Sequence, residues 1–178
     1  MIGGGNGSFI GAVHRIAANL DGQIDLVCGC FSGTPSVSVA SGRNLFLPED
    51  RIYNSYQEMI EEEAKLPEAE RMDFVSIVTP NHVHFEPAMM ALKHGFHVVL
   101  DKPVTYTLEE AKALREQVKV SGKLFALTHT YTGYPMVKEA RTRVLRGDIG
   151  KVRRVYVEYP QGWLYSDCAG VNKQAAWR

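Results

Sequence analysis

Apolar residues along the first 128 positions come in short runs separated by stretches of helical period. The runs at 24–31 (IDLVCGCF), 74–79 (FVSIVT), 97–100 (HVVL) and 124–128 (LFALT) are apolar throughout rather than alternating. That pattern predicts parallel strands buried on both faces. Between them the spacing predicts helices with identifiable ends. Ser55 to Glu58 and Thr107 to Glu110 are capping-box patterns. The first opens a helix carrying Tyr56, Met59 and Ile60; the second opens one with Leu108, Ala111, Leu114 and Val118 facing inward, stopped near Gly122. Pro87 suits the first turn of a helix through Ala88, Ala91 and Leu92, which Gly95 closes. A further helix is predicted over 12–20. Strands alternating with helices imply βαβ units and an α/β, doubly wound parallel sheet.

The pattern changes after residue 128. A helix is predicted from Pro135 to Arg146, with Val137, Ala140 and Val144 on one face and Gly147 after it. Residues 152–159 (VRRVYVEY) then alternate, as expected for a strand of a sheet with one wet face. The division expected is a nucleotide-binding domain over 1–128 and the start of a second α/β domain with an open, mainly antiparallel sheet over 129–178. Only Met1 and Ile2 precede the first glycines, whereas a strand runs to about five residues. The expectation is therefore a truncated first strand, a chain that is a fragment at both ends, and no dehydrogenase activity from this chain alone.

Composition narrows the classes. Apolar residues are 45% and charged residues 22%, as in ordinary globular domains. Lys+Arg and Asp+Glu are 20 each, which gives no sign of a nucleic-acid partner. No run approaches a bilayer span and the first residues lack the marks of a signal peptide, so no membrane partner and a cytoplasmic location are expected. Cys28, Cys30 and Cys168 contain no CxxC pair and are read as three free thiols.

GGGNGSFIG, residues 3–11, leads into a helix. Glycines there permit a tight turn and close backbone approach to a pyrophosphate seated on the helix N-terminus. Two alignments stay open. Gly3 and Gly5 fit the first two positions of GxGxxG with Ser8 in the third; Gly5, Gly7 and Gly11 fit a longer GxGxxxG. Phe9 and Ile10 follow directly behind. A P-loop is excluded, since no Gly-Lys-Ser/Thr follows. A ribose-binding acid is expected about 20 residues on, but the run at 24–31 is followed by Ser32-Gly33, with no acid. Ser32, with Arg43, would tolerate a 2′-phosphate, which leans the cofactor NAD(P) slightly towards NADP.

Two further motifs stand at strand ends, where ligands of such sheets bind: Thr79-Pro80-Asn81 with His84, and Asp101-Lys102-Pro103. With Ala88, Ala91-Leu92, Gly95, His97-Val98, Glu110-Ala111 and Leu114 between and after them, and RGDIGKV at 146–152, the chain resembles the Gfo/Idh/MocA family. These are dehydrogenases related to glucose-fructose oxidoreductase and inositol dehydrogenase. The resemblance implies a Rossmann domain, hydride transfer between a nicotinamide and a sugar or polyol, a homo-oligomer at full length, and a catalytic histidine and aspartate beyond Arg178. It implies Gly3, Gly5, Gly7, Ser8, Phe9, Ile10, Ser32, Thr79, Pro80, Asn81, His84, Asp101 and Lys102 as the cofactor-facing set. Asp101 stands where the family has glutamate and keeps a charge partner for Lys102.

The chemistry asks for Lys102 independently. Alcohol oxidation leaves charge to be managed on the oxygen, which a lysine can orient and polarise. His82, His94 and His97 are read as structural, and no zinc site is expected, because no HxxxH falls on one helix. Tyr131 and Tyr134 are read as packing residues. Two other classes compete: a non-catalytic dinucleotide-binding or sensor protein, which has no need of Lys102, and a methyltransferase, which has no need of TPN or DKP.

Overall fold

The computed structural model describes residues 1–160 and residue 162. Cys168 and the remainder of the C-terminal segment lie outside the described residues. The chain divides into two compact units, Met1–Thr128 and His129–Arg178.

The first unit is a four-stranded, wholly parallel sheet in the order β1 (Ile2–Gly3), β2 (Phe74–Val78), β3 (His97–Asp101) and β4 (Phe125–Thr128). The register sets Ile2 against Ile77, Val98 against Val75 and Phe125, and Asp101 against Thr128. On its other side Ile2 bridges Cys30 in parallel, and Gly29 bridges Ile52. β1 is therefore interior, flanked on both sides, as the first strand of a Rossmann sheet should be. Gly3 N–H donates to Cys30 O at 2.8 Å, and Cys30 N–H donates to Met1 O at 2.9 Å.

β1 is only two residues long, as expected of a truncated first strand, yet Ile2 is buried and bonded on both sides. The run at 24–31 is a strand in name only: just Gly29 and Cys30 pair, as isolated bridges, while Ile24 and Val27 are exposed. A strand needs a ladder alongside it, and β1 offers one only at its own short length.

Alternation along the strands gives the sheet two unlike faces. Val75, Ile77, Val98 and Leu100 point to one face, where they are buried with Met59 and Ile60 of α3 (Tyr56–Lys65), Ala88, Ala91 and Leu92 of α4 (Phe85–Lys93) and Leu114 of α5 (Leu108–Ser121). Each large aliphatic side chain buried there stabilises the unit by about 1.5–3 kcal/mol. The other face presents Ser76, Asp101 and Thr128 towards α1 (Phe9–Ala18). Helices α3, α4 and α5 stand where the pattern predicts them. Thr107 and Glu110 form the complete reciprocal box, and Ser55 Oγ accepts from Glu58 N–H. Helix α1 starts earlier than the predicted 12–20, because Ser8 caps it by accepting from Gly11 N–H at 3.4 Å.

Helix α2 (Pro35–Asn44) was not legible in the sequence. Its inward positions are Ser38, Ser41 and Gly42, so it carries no apolar stripe. Hydroxyls seat it instead. Ser38 Oγ accepts from Phe31 N–H at 2.9 Å and donates to Tyr53 O at 2.8 Å.

The second unit contains a short 3-10 turn (Thr130–Gly133) and α6 (Pro135–Arg146). Tyr131 packs edge-on against both Tyr134 and Tyr159. Residues 152–159 form no strand here, and Val155, Tyr156 and Val157 are exposed. The alternation is present, but no described strand offers it a ladder. No described helix is long and apolar enough to cross a membrane.

Beneath α3 lies a buried charge. Glu63 is fully buried; its carboxylate accepts from Tyr53 O–H at 2.9 Å, from Met72 N–H at 2.9 Å and from Arg51 Nη2 at 2.8 Å. Removing one partner of such a group leaves the other charge buried and unpaired. Glu63→Gln is therefore expected to lower unfolding stability by about 3 kcal/mol, read as a shifted urea midpoint at unchanged slope. A loss below about 1 kcal/mol, the scale of a surface pair, would show that Arg51 finds water instead.

Candidate functional site

The C-terminal ends of β1, β2 and β3 bring the sequence motifs to one edge of the sheet. The glycine loop after β1 opens onto a cleft of about 270 Å³, whose lining includes Gly5, Gly7, Ser8, Arg15, Ser41 and Asn44. The structure separates the roles of its glycines. A Cβ on Gly11 would lie 2.3 Å from Gly4 Cα, so Gly11 is where α1 packs onto the loop. This selects the alignment with Gly5, Gly7 and Gly11, and makes Ser8 the helix cap rather than a stand-in for the third glycine. A Cβ on Gly5 would meet Ser41 Oγ at 2.6 Å and Phe31 O at 2.8 Å, so Gly5 serves packing against the next crossover. Gly7 differs: it has φ +76° and nothing within 4 Å of a Cβ. It presents backbone to open space ahead of the α1 N-terminus.

Arg15, Ser41, Asn44 and Leu45 of the cleft escaped the sequence reading. Arg15 Nη1 donates to Gly4 O at 2.7 Å, placing a guanidinium at the cleft wall. Ser41 Oγ accepts from Asn6 N–H at 3.0 Å, and Asn44 Nδ2 donates to Asn6 Oδ1 at 3.3 Å. Arg15 carried a usable signal, one turn beyond Gly11 on the same helix. Ser41 and Asn44 carried none, because α2 itself was not anticipated. Phe9 and Ile10, expected near the cofactor, do not line the cleft. Phe9 is exposed, and Ile10 packs beside Phe31 and Val78.

Ser32 directly follows the run at 24–31, with its Oγ accepting from Thr34 N–H at 3.1 Å. Arg43, the expected partner of a 2′-phosphate, is held by Glu49 through two hydrogen bonds of 2.7 and 2.9 Å.

After β2, Thr79 and Pro80 lead into a 3-10 turn at Asn81–Val83. The Thr79 hydroxyl is buried and has no hydrogen-bond partner among the described residues. His84 is fully buried at the start of α4. Its Nδ1 faces Pro103 O at 2.7 Å and its Nε2 faces Thr79 O at 2.9 Å. The ring thus ties the loop after β2 to the loop after β3.

Lys102 is exposed in that second loop, with no ion-pair partner among the described residues, and a cis peptide joins it to Pro103. The expected charge pairing with Asp101 is not what the structure shows. Asp101 accepts from Thr128 Oγ1 at 2.8 Å and lies 3.7 Å from His14 Nε2. Burial pushes the Asp101 carboxyl up, but His14, Thr128 and the Lys102 backbone N–H together hold it below its ordinary value. Of the other histidines, His97 Nδ1 accepts from Leu124 N–H at 2.8 Å, His94 Nδ1 donates to Met90 O at 2.9 Å, and His82 is exposed. No group of three or more His, Cys, Asp or Glu that could hold a metal comes together among the described residues. Cys28 and Cys30 are buried free thiols whose pKa values burial pushes up.

These features fit a dinucleotide. An open glycine turn at a helix N-terminus and a guanidinium suit a diphosphate, and the unsatisfied Thr79 hydroxyl awaits a polar partner at the next strand end. Comparison with known proteins agrees. The profile of the oxidoreductase family with an NAD-binding Rossmann fold matches residues 1–129. An uncharacterised oxidoreductase of Bacillus subtilis is 34% identical over 168 residues, 94% of this chain and 42% of that protein. The solved inositol dehydrogenase homolog from Azotobacter vinelandii, complexed with NAD+, superposes with a TM-score of 0.94 at 35% identity, covering 99% of this chain and 45% of that one. An oxidoreductase from Sinorhizobium meliloti is 52% identical with a TM-score of 0.80, over 86% of this chain and 42% of that one. The chain spans less than half the length of these three relatives. With its parallel sheet, its glycine turn and the TPN and DKP loops at neighbouring strand ends, the chain belongs to the Gfo/Idh/MocA family of oxidoreductases, carrying that family's NAD-binding Rossmann fold.

Proposed function

We propose that this chain is the nucleotide-binding part of a dehydrogenase that moves a hydride between a nicotinamide and a CH–OH carbon of a sugar or polyol. The observation that carries the reading is the placement of Lys102. It stands exposed and without a salt bridge among the described residues, at the end of a strand beside the one that ends in Thr79–Asn81. Relatives support the substrate class: one is named a levoglucosan dehydrogenase, one a scyllo-inositol 2-dehydrogenase, and an Azotobacter vinelandii homolog was solved with NADH and myo-inositol.

A bound nicotinamide supplies the hydride acceptor or donor; the residues of this chain do the rest. The backbone at Gly7 and Ser8 and the Arg15 guanidinium bind the diphosphate, in the field of the α1 N-terminus. Ser32 lies where the adenosine ribose would be held, and Thr79, Pro80 and Asn81 border the nicotinamide half. The Lys102 ammonium orients the substrate hydroxyl and stabilises charge on its oxygen as the C–H bond gives up its electron pair. The hydroxyl proton goes to a base, which the family resemblance places beyond Arg178. For the cofactor we favour NAD, because the Arg43 fork is engaged by Glu49 rather than offered to a 2′-phosphate.

Gly7→Val would force a β-branched residue into a left-handed conformation, at a cost of about 1–3 kcal/mol, and would put a side chain in the diphosphate's place. It is expected to weaken NADH binding by about tenfold or more, read by nicotinamide fluorescence. NADPH titrated in parallel should bind the parent more weakly than NADH. Unchanged NADH affinity in the variant would remove the glycine turn from the site.

Lys102→Ala in the complete enzyme is expected to lower kcat by roughly 10²–10³-fold, the range for removing one group that stabilises charge on the reacting oxygen. The dinucleotide affinity should stay within a few-fold. A loss of turnover below about threefold would return Lys102 to the role of a surface lysine.

A further inference from the structure

Helix α1 is built inside out. Its outward positions Phe9, Val13 and Ile16 are apolar and exposed, at 71%, 43% and 67%. Its sheet-facing side carries two consecutive basic residues, His14 and Arg15, where a helix packed on a sheet ordinarily places aliphatic side chains. Arg15 is accounted for by the cleft. His14 belongs to no part of the cradle.

Its surroundings form a polar row across the sheet. His14 Nδ1 lies 3.2 Å from Ser76 Oγ on β2, which sets the ring. Nε2 then faces Asp101 Oδ1 on β3 at 3.7 Å, an ion-pair distance rather than a hydrogen bond. The same Asp101 oxygen accepts from Thr128 Oγ1 on β4 at 2.8 Å. The His14 and Asp101 side chains are only 11% and 15% exposed, so solvent screens their contact weakly. Asp101 is the residue immediately before Lys102.

We propose that His14 is a positioning residue that couples the two halves of the site. Through Asp101 it holds the Lys102 turn in register with α1, the helix whose N-terminus forms the diphosphate cradle. Seating the dinucleotide on that N-terminus thereby steadies the lysine one strand beyond the TPN loop. Ser76 orients the ring from β2, and Thr128 fixes the carboxylate from β4. A shift of about 1 Å at a catalytic group can cost about 10²-fold in rate, which gives such a coupling its value. The inference rests on the reading of the glycine turn as a dinucleotide site and of Lys102 as the group that meets the substrate.

The test is hydrogen exchange in the complete protein carrying these residues, with and without saturating NADH. In the parent, NADH should slow exchange across residues 3–11 and also at Lys102 and Val104 to Tyr106. The second effect is expected at about five- to 100-fold, the usual range of coupling between sites. In His14→Ala, protection of 3–11 should persist while that of 102–106 falls below about twofold. His14→Gln, which keeps a polar N–H group facing Asp101, should restore it. Thr128→Val and its conservative control Thr128→Ser repeat the test from the opposite side of the carboxylate, should His14→Ala fail to fold. Protection of 102–106 kept in both His14→Ala and Thr128→Val overturns the proposal. So does its loss together with that of 3–11, which marks a purely structural role. If NADH protects neither segment in the parent, the dinucleotide reading fails first and this inference falls with it. Parent-like turnover of myo-inositol or levoglucosan in Lys102→Ala would instead remove the role of the lysine.

Discussion

One buried imidazole holds the ligand-binding edge of this domain together. The loops after β2 and β3 carry the TPN and DKP motifs, yet neither is long enough to pack on its own. His84 stands fully buried between them, with a carbonyl oxygen of each loop in hydrogen-bond range of a ring nitrogen. The ring can donate to both only when each nitrogen bears a proton. Either way the partners are main-chain atoms, Thr79 O and Pro103 O. What is fixed is therefore backbone position, whichever side chains the loops display. Thr79–Asn81 and Lys102–Pro103 inherit their mutual placement from it.

The same edge depends on the two faces of the sheet being unlike. The face under α3, α4 and α5 is filled with aliphatic side chains at almost no exposure and supplies the packing that keeps the strands in register. The face under α1 is thinner and polar at its C-terminal end. Small contacts dominate there: Gly11 against Gly4, Ser76 against His14, Thr128 against Asp101. A core of interlocked aliphatics would have served stability better, since polar groups out of water contribute little net stabilisation even when paired. Polar groups kept in such a position point to the needs of the site rather than of the core.

The legible and illegible parts of the sequence divide along physical lines. Helices α3, α4 and α5 could be read because apolar periodicity and capping boxes act within a few residues of chain. Strands β2, β3 and β4 could be read because their runs are continuously apolar and each has a parallel neighbour, although alternate positions carry most of the burial and β4 is only partly covered. The run at 24–31 and the alternation at 152–159 have the right composition for strands, but a strand exists only where a neighbour offers hydrogen bonds. Helix α2 was hidden for the opposite reason: its tertiary contacts are made by serine hydroxyls and a glycine, which leave no hydrophobic period. At the site, Gly7, Thr79 and Lys102 stood out because their motifs are local. Arg15 offered only its place one turn beyond Gly11, and His14 offered nothing, because its partners Ser76 and Asp101 lie elsewhere along the chain.

The aspartate before Lys102 shows how a motif residue can be read correctly in type and wrongly in role. Beside a lysine, an acid suggests an ion pair. Had Asp101 paired with the ammonium, each charge would have been spent on the other, and the lysine would have offered a substrate oxygen only a partly neutralised field. The structure turns the carboxylate inward, to the hydroxyl of Thr128 and towards His14. Its charge is satisfied by the sheet and the helix, not by its neighbour in sequence. A short side chain suits that inward turn, because Thr128 is the register partner of Asp101 on the adjacent strand and lies within reach of a single methylene. Lys102 is left without a counter-ion among the described residues, on a loop whose backbone is pinned by His84 from one side and by Asp101 from the other. That combination, a fixed root and an unspent charge, is what a group meant to meet developing negative charge requires.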